Sequence, residues 1–140
     1  MVVRRDSDLT DVLQSLGCET VINQHAEQGM ATSIAAGVAA TAAASGWLIA
    51  LGDMPSIRVD TIVAVVDALQ NGARIVVPTM AAKRGHPVGF SSKYYARLQS
   101  LTGDIGAREI IIADANFVKE ISVDDAGIFA DIDTPADLKV

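Results

Sequence analysis

One cysteine in 140 residues, Cys18, excludes an intramolecular disulfide and fits a reducing compartment. A lone thiol beside an apolar stretch reads as a small core residue. Positive charge is also scarce: 11 basic against 17 acidic side chains leave a net charge of -6, without the basic face that nucleic-acid binders use to displace counterions. The opening segment, Met1-Val2-Val3-Arg4-Arg5-Asp6, lacks the apolar core and cleavage site of a signal peptide, so a cytoplasmic location is expected. The charge-free stretch from Gln28 to Gly52 is Ala-, Gly-, Ser- and Thr-rich in its first half and broken at Ser45-Gly46. It therefore reads as a helix followed by a buried strand, not as a membrane span. His25 and His86 have no zinc-ligand spacing to each other or to Cys18, and no Ser-His-Asp or Cys-His arrangement occurs. With no repeat or linker and 50% hydrophobic residues, the expectation is one domain over residues 1–140.

Strand and helix patterns alternate. Val2–Arg4 reads as a strand, Asp8–Leu16 as a helix stopped by Gly17, and Glu19–Asn23 as a second strand. An Ala-rich helix over Gly29–Ala44, a strand over Trp47–Leu51 and a helix over Val59–Leu69 follow, the last with an apolar stripe of Val59, Ile62, Val63, Val66 and Leu69. Arg74–Pro78 reads as a buried strand. This alternation predicts βαβ units and a mostly parallel sheet covered on both faces, a three-layer α/β/α fold. Beyond it come a polar loop at Lys83–Pro87, a strand at Val88–Phe90, helices at Lys93–Leu101 and Ile105–Ala113, the second capped by Thr102-Gly103-Asp104, and late strands at Val118–Val123 and Ile128–Ile132.

Asp53 follows an apolar strand and precedes Met54-Pro55, which sets a carboxylate at the carboxyl edge of the sheet, where open α/β folds bind ligands. Asp131 and Asp133 repeat that grammar near the end of the chain, and two such edges can hold one divalent cation. Each Asp also has an ordinary reading as a helix cap, Asp133 through Pro135. Gly29-Met30-Ala31-Thr32-Ser33-Ile34-Ala35-Ala36-Gly37 opens a helix whose amides and hydroxyls suit an anion or a base edge, or whose small residues serve packing alone. His86, between Gly85 and Pro87 and preceded by Lys83 and Arg84, suits an anionic substrate.

Those segments, in order with Leu51-Gly52-Asp53-Met54-Pro55, Gly103-Asp104-Ile105-Gly106-Ala107-Arg108 and Asp131-Ile132-Asp133-Thr134-Pro135-Ala136-Asp137-Leu138, resemble the MobA/MocA-like nucleotidyltransferases, nearest the molybdenum cofactor cytidylyltransferase branch. The resemblance implies a nucleotide-diphospho-sugar transferase-like, Rossmann-like fold. It also implies transfer of CMP or another nucleotidyl group from an NTP, CTP first, to a molybdopterin-type cofactor with Mg²⁺. By it, Asp53 and Asp133 are catalytic, and Asp53, Asp133 and Asp131 hold the metal. Gly29, Ser33, Gly37 and Gly52 belong to the nucleotide side, and Gly85, His86 and Pro87 face the acceptor.

The family's Gly-rich phosphate loop, roughly Leu-Ala-Ala-Gly after a first strand, has no counterpart here, so Val2–Arg4 corresponds to the second strand of that fold. A gap in the ladder, or direct pairing of Val2–Arg4 with Trp47–Leu51, is expected, because buried unpaired backbone groups are costly. Three readings follow: a nucleotidyltransferase with reduced or lost activity, a non-catalytic module that self-associates through an open sheet edge, or a segment of a longer native chain.

Overall fold

The computed structural model describes residues 1–5, 7–134 and 137. In chain order its elements are β1 (Val2–Arg4), α1 (Leu9–Ser15), β2 (Val21–Asn23), α2 (Met30–Ala40), β3 (Gly46–Ile49), α3 (Val59–Gln70), β4 (Ile75–Met80), β5 (Lys83–Arg84), β6 (Val88–Ser91), α4 (Tyr95–Gln99), α5 (Arg108–Ala113) and β7 (Val118–Ser122), with short 3-10 turns between some of them. The chain divides into two compact units, residues 1–44 with 94–114, and residues 45–93 with 115–140.

In the first unit β1 and β2 pair in parallel, Val3 opposite Ile22, across the connection that carries α1. Helix α2 packs on both strands and on α4, and Val3, Ala31, Val38, Tyr94, Leu98 and Ile110 are buried. Gly37 permits the close approach, since a β-carbon there would lie 3.0 Å from a methyl of Val2. Helix α1 forms where the spacing predicts, yet buries none of its residues. Cys18 is exposed, contrary to the core role expected of it. The reason is local: Gly17, at φ 77°, ends the helix, and the Cys18 N–H returns to the Leu13 carbonyl at 2.9 Å. That leaves the thiol in a turn three residues ahead of β2.

The second unit is a five-stranded sheet in the order β3-β6-β4-β5, with β7 on the other side of β4. Strand β4 is the centre: Ile75, Val76 and Val77 are 0–2% exposed, as befits a strand bonded on both edges. Val65 and Ala68 of α3 close over Val76, with Leu48, Leu69, Ala73 and Ile121 around them. The sheet is more mixed than the alternation suggests. Strands β3, β4 and β7 run one way, but β6 lies antiparallel between β3 and β4. A loop and hairpin, not a crossover helix, connect β4 to β6, so the chain returns antiparallel.

Other differences are short-range. The buried face of α3 is Thr61, Val65 and Ala68, while Val59 and Val63 of the apolar stripe are 72% and 49% exposed. The helix is turned about one residue from the stripe because the Thr61 hydroxyl is drawn inward to the buried Asp125 carboxylate at 2.6 Å. The strand expected over Ile128–Ile132 is instead a 3-10 turn, Ala126–Phe129, followed by extended chain. Lys83-Arg84 is a short strand, not a loop, and α5 starts at Arg108 without a side-chain cap. Thr102-Gly103-Asp104 therefore does not cap it. Among the described residues no ladder joins β1 to β3, so the direct pairing of these strands does not occur. The helix expected to start at Pro135 falls outside the described residues.

The β4–β5 hairpin turns on Ala81 and Ala82, at φ 50° and 61°, with Met80 paired to Lys83. Two-residue hairpins of this hand favour Asn-Gly, since a β-carbon is strained at positive φ. Replacing Ala81-Ala82 by Asn-Gly is expected to raise unfolding stability by about 1 kcal/mol, read as a higher urea midpoint at unchanged slope. An unchanged or lower midpoint would contradict the strain.

Candidate functional site

Strand β3 ends at Ile49, two residues sooner than expected, and Gly52 and Asp53 occupy an exposed turn beyond it. Met54, 8% exposed, anchors that turn. Asp53 is not the cap of α3, whose N-cap is Arg58. The Asp53 carbonyl instead accepts the Ile132 N–H at 2.8 Å, which brings the Asp53 turn against the Asp131-Ile132-Asp133 segment. Ile132 is half-buried, whereas Asp131 and Asp133 on either side of it are exposed, as extended chain requires when one residue faces in and its neighbours face out.

The sheet explains this meeting. Strands β3, β4 and β7 share a direction, so the segments following β3 and β7 leave from the same edge. Antiparallel β6 delivers its preceding loop there too: Ile49 is opposite Val88, so Gly85-His86-Pro87 lies beside the chain that follows Ile49. The His86–Pro87 bond is cis, Pro87 is fully buried, and the Gly85 and His86 amides donate to the Pro78 and Ile128 carbonyls at 2.9 and 3.0 Å.

Burial lowers the His86 pKa below 6.5, against the opposing pull of the Ile49 carbonyl and the Asp53 charge. Its Nδ1 is buried and has no hydrogen-bond partner among the described residues, an expensive state unless another group supplies a donor. The basic neighbours of His86 are already engaged. Arg84 pairs with Glu120 at 2.7 Å, and the Lys83 ammonium lies 4.7 Å from the Phe129 ring centre. The loop is thus less available to an anion than its sequence suggests.

No group of three His, Cys, Asp or Glu side chains among the described residues gathers into a ready cation cage. The acids nevertheless have the right chemistry for a hard divalent ion. Asp53, Asp131 and Asp133 supply oxygen donors, and none of them takes part in an ion pair among the described residues, whose pairs are Arg58–Asp60, Arg84–Glu120 and Arg97–Asp114.

Two residues that sequence reasoning passed over organise this unit. Asp125, 4% exposed, accepts the Arg58 N–H at 2.9 Å and the Thr61 hydroxyl at 2.6 Å through one oxygen, and the Gly127 N–H at 2.9 Å through the other. Burial alone would raise its pKa, yet these donors and the Arg58 charge hold it below the ordinary carboxylate value. Gly127 packs so tightly that a β-carbon would collide with the Ser56 carbonyl. The sequence signal was present in Asp124-Asp125 followed by Gly127, an Asx-turn pattern.

In the other unit, Asn23 at the end of β2 is 4% exposed and donates through Nδ2 to the Thr32 and Ser33 hydroxyls at 2.8 and 2.9 Å. Its Oδ1 accepts the His25 N–H. Asn23, His25 and Thr32 border an open cleft of about 480 Å³ that extends along α2 to Gln99 and Leu101. The opening of α2 is not a free anion site: the Ala31 N–H donates to the Gly103 carbonyl at 3.1 Å. Gly29, at φ 108°, lies so close to Gly103 and the Asp104 carboxylate that a side chain would collide with both.

Residues 1–117 match the MobA-like NTP transferase domain. The chain belongs to that family. Among curated proteins it is 33% identical over 117 residues to the purine catabolism protein PucB of Bacillus subtilis (strain 168), an alignment covering 80% of this chain and 55% of PucB. The chain thus spans about half the length of that relative. Among solved structures, Rv0371c of Mycobacterium tuberculosis H37Rv is 25% identical with a TM-score of 0.77, covering 97% of this chain and 70% of that one. A manganese complex of Rv0371c gives 23% identity and a TM-score of 0.76, covering 97% and 72%. The molybdopterin-guanine dinucleotide biosynthesis protein A of Archaeoglobus fulgidus is 17% identical, with a TM-score of 0.62 and coverage of 97% and 73%. The last two likenesses concern the fold, and the MobA-like α/β fold is the one the sequence motifs imply.

The depressed His86 pKa makes stability pH-dependent. Below pH 6.5 the unfolded chain takes up a proton on this ring that the folded chain resists, so folding stability must fall as pH drops from 6.5 toward the folded-state pKa. Urea unfolding at pH 7.5 and 5.5 is expected to show a larger acid-side loss for the native chain than for His86→Gln. Equal losses would mean that the ring titrates alike in both states.

Proposed function

We propose that this MobA-like NTP transferase domain acts in nucleotidyl transfer to a phosphorylated cofactor, with CTP as donor and a molybdopterin-type phosphate as acceptor. In that reaction the bond between the α-phosphorus and the bridging oxygen breaks, pyrophosphate leaves, and the acceptor phosphate oxygen forms the new bond to phosphorus. The observation that carries the reading is the Ile132–Asp53 hydrogen bond of 2.8 Å, which brings together at the carboxyl edge of the sheet two segments whose acids have no ion pair among the described residues.

Asp53 and Asp133, with Asp131 beside it, would hold Mg²⁺. The bound ion would neutralise charge on the phosphates, the main demand of phosphoryl chemistry. The manganese found with Rv0371c supports a divalent cation as the class of cofactor. His86 Nδ1 is the candidate acceptor of a hydrogen bond from the acceptor side, where Gly85 and Pro87 fix the ring. Gly29, Ser33 and Gly37 keep the base-side role implied by the family resemblance. Ser33 has support through its bond to Asn23, whereas Gly37 is accounted for by packing on Val2.

The 140 residues contain no Gly-rich strand-to-helix loop to cradle the triphosphate, so this chain alone is expected to bind the nucleotide weakly and turn it over little. A second reading, a non-catalytic module, is favoured by β3, which among the described residues is bonded only to β6. A strand at the end of a sheet is where self-association by strand addition would take place.

Calorimetric titration of CTP with Mg²⁺ is expected to give weak binding to the native chain, weakened about ten-fold or more in Asp53→Ala because a charge-assisted contact is lost. Equal binding by both proteins would remove Asp53 from the site. Sedimentation separates the second reading, since a clean monomer across concentration counts against self-association through β3.

A further inference from the structure

Among the described residues the Asp53 turn and the Asp131–Asp133 segment are joined by the backbone bond of Ile132 N–H to the Asp53 carbonyl. A backbone bond between exposed segments does not by itself fix their spacing. Both loops are nevertheless fixed a few residues away, at a common point. The Asp53 turn runs through Pro55 and Ser56 into Arg58 and Thr61 at the start of α3, and the terminal acids follow the turn of Gly127. Asp125 binds both ends: one oxygen takes the Arg58 amide and the Thr61 hydroxyl, the other the Gly127 amide. The Arg58 guanidinium adds a bond to the Asp124 carbonyl at 3.2 Å, and Gly127 seats directly on the Ser56 carbonyl. A displacement of Asp125 therefore shifts the two acidic segments relative to each other.

We propose that Asp125 is a positioning residue for the acidic site: its carboxylate sets the spacing between the Asp53 turn and the Asp131–Asp133 segment, and so the affinity of these acids for a divalent cation. The inference rests on the reading that those three acids hold the cation. Asp125 is buried among its three donors and turned away from solvent, so its action is through its neighbours. Groups bonded directly to metal ligands change affinity by roughly 10- to 100-fold when altered, and Asp125, which acts through the backbone of both segments, is expected at the lower end of that range.

The test is binding of Mn²⁺ alone to the whole 140-residue chain, followed by the electron paramagnetic resonance signal of free Mn²⁺, at a temperature where circular dichroism shows each variant folded. Asp125→Asn and Thr61→Val are expected to weaken Mn²⁺ binding about ten-fold. Thr61→Ser, which restores the hydroxyl, is expected to bind like the native chain, and Asp53→Ala to lose binding. Native-like affinity in both Asp125→Asn and Thr61→Val, with lowered melting temperatures, would overturn the proposal and leave Asp125 a purely structural acid, with the cation site intact. Native-like binding by Asp53→Ala would overturn the cation site and the proposal together. Should Asp125→Asn fail to fold, the Thr61→Val and Thr61→Ser pair decides the matter by itself.

Discussion

Burying a carboxylate costs several kcal/mol before any partner is counted, and Asp125 is buried in a unit that has few other buried polar groups. What offsets the cost is a set of three donors within 2.9 Å, each hydrogen bond to a charged acceptor contributing about 1.5–3 kcal/mol. Two of the three come from the N-cap, Arg58, and the first turn of α3, a helix of 12 residues whose cap residue makes no side-chain cap hydrogen bond. Asp125, 67 positions away from Arg58 in sequence, supplies the acceptor oxygen that a local Ser or Asp would otherwise provide, and the helix dipole favours its charge there. The same interaction ends β7, forms the 3-10 turn through Gly127, and turns Thr61 toward the interior. Removing one donor would leave the charge buried and under-satisfied, which costs more than the bond contributes on average.

That constraint explains where sequence and structure part. Local patterns were legible: α3 and β4 fall within one or two residues of their apolar periodicity, and Asp53, His86 and the Asp131–Asp133 segment do meet at one edge. The face that α3 buries was not legible, because hydrophobicity favours Val59 and Val63 while a long-range hydrogen bond favours Thr61. The Ile128–Ile132 segment misled for the same reason. Its apolar residues suit a strand, but the Asp125 cap on Gly127 curls the chain first. Cys18 and the basic loop failed differently, since composition places a thiol inside and leaves Arg84 free, whereas a turn at Gly17 and a partner at Glu120 are decided by geometry. Asn23 carried no visible signal beyond its place at a strand end; only the fold sets it under the Thr32 and Ser33 hydroxyls.

The antiparallel strand β6 has a consequence that strict βαβ alternation would not produce. In a wholly parallel sheet the loop entering a strand and the loop leaving its neighbour lie at opposite edges. His86, which enters β6, would then be a strand's length from Asp53, which follows β3. Because β6 runs against β3, with Ile49 opposite Val88, the two lie at the same edge, and the Asp53 charge acts on the imidazole. Strand β7, parallel to β4, brings its own exit to that edge and with it Asp131 and Asp133. The reversal of β6 between β3 and β4 thus gathers an imidazole and three carboxylates from segments 33 to 80 residues apart, counted from Asp53 to His86 and to Asp133. The acids stay exposed there and the imidazole half-buried, so carboxylate oxygens and a buried ring nitrogen are held at one margin of the sheet. The proposed transfer between two anions would use that division, with charge neutralisation at one side and directed hydrogen bonding at the other.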